Sequence, residues 1–188
     1  MLVQFPEQTI DKFRIPSFVL NKGEIIGIQI PHGACFRDIQ LGVVDILIEN
    51  NKNIDTEIAL KYIEHIKIEQ SLWSRFFPLT VGNYLDKCAN KSNSIYKLIY
   101  DKQWITPKTK IKTLSIGDKR LLSLFTTSSW TNNIIFDLEG IDPISGKEIF
   151  NLIKTVVQSG GAAILIDYTD EFKKDCTTFV VAEYLHEK

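Results

Sequence analysis

The chain has 188 residues, 44% hydrophobic and 24% charged, with a formal net charge of -1, which suits one domain with a real core and room for a small inserted subdomain. The near-neutral balance excludes a general electrostatic grip on nucleic acid, so no nucleic-acid partner is expected. Three scattered cysteines, Cys35, Cys88 and Cys176, make no disulfide framework, and there is neither a signal core nor a run of about 18 apolar residues; a cytoplasmic protein in a reducing compartment is expected.

The many Ile, Lys and Asn residues fit AT-rich coding, as in many bacteria. "RIPSFVLNKGEIIGIQI" reads as two short strands around the turn Asn21-Lys22-Gly23-Glu24, the second nearly all apolar and therefore buried. A Pro-x-Gly-x turn, "PHGA", then leads into "RDIQLGVVDILI", where Ile39, Val43, Ile46 and Leu47 share one helical face, although the segment also divides into helix then strand. "NIDTEIALKYIEHIKIEQ" starts helical, with Asp55 or Thr56 as N-cap, and ends extended. From Ser71 to about Lys112 the chain is aromatic and polar, with helical pieces near "VGNYLDKCAN" and "SIYKLIY". The whole is expected to be a single domain over 1–188 with a small helical subdomain inserted at about 71–125.

The C-terminal half is more regular. "LSIGDKRLLSLFTTSS" predicts a helix opened by a small-residue turn, and "NNIIFDL" a short buried strand. "PISGKEIFNLIKTVVQSGG" is an amphipathic helix with Ile149, Leu152, Ile153 and Val156 on one face and Gly160-Gly161 as its stop signal. "AAILIDY" and "TFVVAEYL" supply two more strands. Continuous apolar strands alternating with helices predict βαβ crossovers and a parallel sheet buried on both faces.

The ordered set "SFVLNKGEIIGIQIPHGA", "LTVGNYL", "LSIGDKRLLSL", "IIFDLEGIDPISGKEIFNLIK" and "GGAAILIDYTDEFKKDC" resembles the ATP-binding subunits of ABC transporters, from about Ser17 to Glu183. The resemblance implies an α/β, P-loop NTPase-like fold: a mostly parallel sheet, helices on both faces and a reduced helical insertion. It also implies ATP and Mg²⁺ as ligands, and a membrane permease with a second ATPase subunit or a second copy of the chain as partners.

Several positions depart from the pattern the resemblance implies. A phosphate loop needs glycines for close backbone approach, a Lys for the β/γ charge and a Ser or Thr for Mg²⁺. Gly33 and Ala34 match and Cys35 replaces a glycine; Phe36 stands at the lysine position, with Arg37 and Asp38 at the hydroxyl positions. Arg37 offers a cation from the wrong place, and Asp38 adds repulsion at a helix N-terminus. Asp137 matches the residue that orients Mg²⁺, or is a strand-end cap. Leu138 stands where the catalytic base belongs, and Glu139 falls one residue late. Thr169 replaces the switch histidine and reads as the N-cap of a helix starting at Asp170.

The positions that serve a partner's site are better kept. Ser115 and Gly117 match the signature loop, which closes over ATP held by the other subunit, and Asp142 matches the residue that crosses the dimer interface. Ser115 as a plain N-cap is the alternative. Gln70 falls near the position that senses the permease, and Trp73, Phe76 and Phe77 would form an apolar contact patch beside it.

The expectation is a degenerate, catalytically weak subunit on the inner face of the cell membrane, with ATP and Mg²⁺ held only at a site shared with a partner. The alternatives are a regulatory or scaffolding protein that reuses the fold, and a working ATPase in which Arg37 and Glu139 take over.

Overall fold

Uninterrupted apolar runs cannot leave either face of a strand in water, and in this protein they become the middle of a parallel sheet. The computed structural model describes residues 1–33, 35–49, 59–67 and 78–185. They form two compact units: Met1–Tyr62 with Thr131–Glu139 and Leu152–Lys188, and Ile63–Trp130 with Gly140–Asn151.

The first unit opens with β1 (Val3–Phe5), β2 (Gln8–Ile10), β3 (Phe13–Ile15) and β4 (Phe18–Leu20). β1 pairs antiparallel with β4, setting Phe5 opposite Phe18 with their rings stacked at 4.7 Å. β5 (Ile25–Gln29) then enters a second sheet and leads through a loop into α1 (Phe36–Glu49). α1 is one helix, which settles the helix-then-strand alternative. Phe36, Ile39, Gln40, Val43, Val44 and Leu47 are its buried stripe, and Gln40 is the one polar member.

That sheet runs β6 (Lys61–Tyr62), β7 (Asn133–Phe136), β8 (Ala162–Asp167), β5 and β9 (Thr178–Val181), in that order, with every neighbour parallel. β7 and β8 are buried along their whole length. β10 (Glu183–Tyr184) closes a small antiparallel sheet against β3.

The register aligns the strands' carboxyl ends. Phe136 is level with Leu165, Gln29 with Asp167, and Gln29 with Val181. The residues that follow β7, β8 and β5 are therefore delivered to one edge, where open parallel sheets carry their ligand sites.

The second unit is built from short helices: α2 (Val81–Cys88), a 3₁₀ helix over Ser94–Asp101 and α3 (Ile116–Ser128). α4 (Pro143–Gln158) starts in this unit and ends in the first. Its buried residues are Ile149, Phe150, Ile153 and Val157. The stripe expected from Ile149, Leu152, Ile153 and Val156 is thus rotated, because Phe150 takes the largest buried place and draws the face toward Val157. Gly160, at φ +99°, ends the helix as the sequence predicts. No helix starts at Asp170; the next helical turn is a 3₁₀ turn over Lys173–Asp175.

Two glycines bracket the steric tolerance of this scaffold. A Cβ on Gly161 would lie 2.2 Å from the Asn132 carbonyl oxygen, whereas one on Gly146 meets nothing within 4 Å. Gly161→Ala should lower unfolding stability by about 1–3 kcal/mol. Gly146→Ala, inside α4, should raise it by roughly 0.5–1 kcal/mol. Urea unfolding of both variants checks the pair, and equal effects would contradict the backbone approach at Gly161.

Candidate functional site

The loop after β5 leads directly into α1. The Phe36 amide, at the loop's end, donates to the Gly33 carbonyl (3.1 Å) and so closes a turn. The Phe36 ring is buried with Ile39 and Val43, and meets Tyr168 edge-on at 5.6 Å between ring centres. His32 packs on the same tyrosine at 4.9 Å. A ring held in the core brings no charge to a triphosphate. Gly33 is exposed with open space around it, and Ala34 lies outside the described residues.

Arg37, one residue into α1, turns toward the carboxyl edge of the sheet. Its Nη1 lies 3.5 Å from Glu139 Oε2 and 3.9 Å from Asp137 Oδ2. The same atom donates to Gln40 Oε1 (2.8 Å) and to the Tyr62 hydroxyl (3.4 Å). Asp137 has no exposed surface, and a carboxylate out of water needs partners. Tyr62 donates to its Oδ2 and the Glu139 amide to its Oδ1 (3.0 Å). Burial first, then the Asp137 charge and hydrogen bond, push the Tyr62 phenol well above its ordinary range, so it stays a donor.

Asp167, at the end of β8, completes this edge. Its Oδ1 accepts from the amides of Tyr168 (2.6 Å) and Thr169 (3.3 Å). Burial raises its pKa, the two amides oppose that, and the nearby Asp137 charge adds to it. Asp167 holds the amides of Tyr168 and Thr169 in a turn, and no helix starts at Asp170 for Thr169 to cap.

Magnesium and ATP phosphates do not fit this loop. Both oxygens of Asp137 carry donors, the aromatic at the lysine position is buried, and a guanidinium already faces the carboxylates. Sequence reading placed Arg37, Asp137 and Glu139 separately; the structure brings them together. It missed Tyr62, Gln40 and Tyr168. Gln40 was detectable as the only polar residue on the α1 stripe, three positions after Arg37; Tyr62, 75 residues from Asp137, was not.

In the second unit the positions expected to serve a partner lie at helix starts. Ser115 is exposed and caps α3, accepting from the Asp118 amide at 3.0 Å. Gly117 sits where a Cβ would fall 2.6 Å from Ser145 Oγ, so the first turns of α3 and α4 touch. Asp142 caps α4 through the amides of Ile144 (3.1 Å) and Ser145 (3.0 Å), and the bonds from Ser145 hold its carboxylate below the ordinary value. Exposed Trp104 donates to Asp118 (3.2 Å), and exposed Ile116 and Ile144 follow the two caps. Below them, buried Arg120 on α3 donates to the Ile63 carbonyl (3.0 Å) and bonds the His65 ring. Gln70, Trp73, Phe76, Phe77, Asp55 and Thr56 lie outside the described residues.

The burial of the ionic cluster predicts unequal costs. Asp137→Ala strips Tyr62 and Arg37 of their acceptor and should cost about 2–3 kcal/mol, less than a fully buried pair because Arg37 keeps 35% exposure. Glu139→Gln, at 39% exposure, should cost under about 1 kcal/mol. Chemical denaturation of the two variants separates them, and equal losses would contradict the cluster.

No protein-family model matches the sequence, and neither does any curated protein. Solved structures do. A Pyrococcus furiosus protein assigned as an ABC transporter ATP-binding protein matches with a TM-score of 0.66 at 16% identity, over 93% of this chain and 93% of its own. The ATP-binding subunit of an ABC transporter matches at 0.65 and 13% identity, over 97% and 87%. A nucleotide-free ATP-binding cassette from an ABC transporter matches at 0.61 and 16%, over 93% and 84%. The chain has the α/β, P-loop NTPase-like fold of ABC-transporter ATP-binding subunits.

Proposed function

We propose that this chain is the degenerate, catalytically weak ATP-binding-cassette half of a bacterial ABC transporter, peripheral on the inner face of the membrane. One observation carries the reading: Arg37, Tyr62, Asp137 and Glu139 satisfy one another at the sheet edge where such a fold would hold nucleotide. The helix starts at Ser115 and Asp142 are nevertheless formed and exposed. In this reading the second unit is the helical insertion expected at about 71–125, and the helix start capped by Ser115 faces ATP held by another subunit. Two copies of this chain would pair two closed loops, so the partner is a second ATPase subunit with intact motifs. The permease would meet the segment between Gln70 and Leu85.

No described helix is long and apolar enough to cross a membrane, so attachment would be through the permease. Affinity purification from the native host in mild detergent, with mass spectrometry, should recover a polytopic membrane protein and a competent ATPase. Recovery of the chain alone, or with cytosolic proteins only, removes the transporter and leaves the scaffolding alternative.

Two activity outcomes follow. The isolated chain should show no ATP turnover above buffer, and measurable turnover lost on Arg37→Ala or Glu139→Gln would restore the working-ATPase alternative. In the reconstituted pair, Ser115→Ala should lower turnover roughly 10–100-fold and the chain's own stability by about 1 kcal/mol. Full turnover by that variant would remove the shared site.

A further inference from the structure

We propose that the Arg37 guanidinium is a covalently built-in substitute for the divalent cation, and that it hides a latent metal site made by Asp137 and Glu139. The inference rests on the reading of the first unit as a cassette core closed at its own phosphate loop, and it concerns what closes that loop.

Three observations converge. The resemblance places a metal-binding hydroxyl at position 37 and a metal-orienting carboxylate at 137; in the structure the side chains at those two positions face one another, at 3.9 Å, with the second carboxylate at 3.5 Å. A fixed positive charge at that range from both acids repels an incoming dication as it neutralises them. Each oxygen of Asp137 already accepts one donor, Tyr62 at Oδ2 and the Glu139 amide at Oδ1. Finally, Gln40 gives its oxygen to Arg37, and its fully buried Nε2 has no hydrogen-bond partner among the described residues. That leaves a second donor beside the guanidinium, where a metal would need acceptors. The cluster thus performs the structural work of a bound cation, tying the first turn of α1 to the ends of β7 and β6, with no ligand to gain or lose.

The charge balance supplies the consequence. One guanidinium faces two carboxylates, so removing it leaves an acidic pair around the space it filled. A hard divalent cation is the ligand class such a pair takes.

Mn²⁺ titration of the full chain, read by the electron paramagnetic resonance of the free ion, tests this without nucleotide or partner. The wild type should leave the free-ion signal unchanged. Arg37→Ser and Arg37→Gln should each sequester Mn²⁺ at least about tenfold more tightly than the wild type, and Mn²⁺ should raise their thermal midpoints. Adding Glu139→Gln to either should abolish the gain. Wild type that binds as tightly as the variants, or folded variants that bind nothing, would overturn the proposal. If both variants lose cooperative unfolding, Mn²⁺ should restore it, and failure to do so counts equally against. A positive result combined with failed permease recovery would remove the transporter and keep the substitution, so the two readings fail separately.

Discussion

A carboxylate sealed from water dictates much of this protein. Asp137 sits at the end of a buried strand with no exposed surface, and an unpaired charge there would favour unfolding. The protein answers from within: a phenol whose own ionisation is suppressed, a backbone amide two residues on, and a guanidinium from the first turn of α1. Each partner is itself held. Tyr62 belongs to a strand paired with β7, and Arg37 is anchored by Gln40 on the buried stripe of its helix. The arrangement that stabilises Asp137 also ties the first turn of α1 to the ends of β6 and β7.

Parallel topology makes the cluster geometrically available. Arg37 and Glu139 are 102 residues apart, yet both lie just past the carboxyl end of a sheet strand. With β8 between β7 and β5, the acidic ends of β7 and β8 are neighbours at that edge, and the Asp137 charge reaches Asp167. Beside that edge Phe36 and His32 both pack on Tyr168.

The second unit follows different rules. Its helix starts are capped by residues two or three positions away: Thr80 on Asn83, Asn93 on Ile95, Ser115 on Asp118, Asp142 on Ser145. Such caps are satisfied within a single turn and do not depend on a distant strand. They keep the helix starts at Ser115 and Asp142 formed. An exposed start with apolar Ile116 and Ile144 beside it is what remains available for protein contact.

Short-range order was open to reading in the chain. Apolar runs at 25–30, 133–136 and 162–167 became buried strands, the 3.6-residue rhythm from Ile39 became α1, and Gly160 stopped α4. Each of these depends on residues within a turn or two, so periodicity and turn chemistry suffice. The ordered motifs carried the fold as well, because they sample every crossover in sequence order. What failed were judgements that needed a neighbour from elsewhere. Thr169 looked like a cap, but no helix starts at Asp170, and the α4 stripe turned toward Phe150 and Val157. Arg37 looked misplaced until β6 and β7 were set beside it. Local pattern decided the elements and their order; only the tertiary pairing decided which charges meet, because a buried charge is stabilised by whatever the fold brings within hydrogen-bond reach, at any separation along the chain.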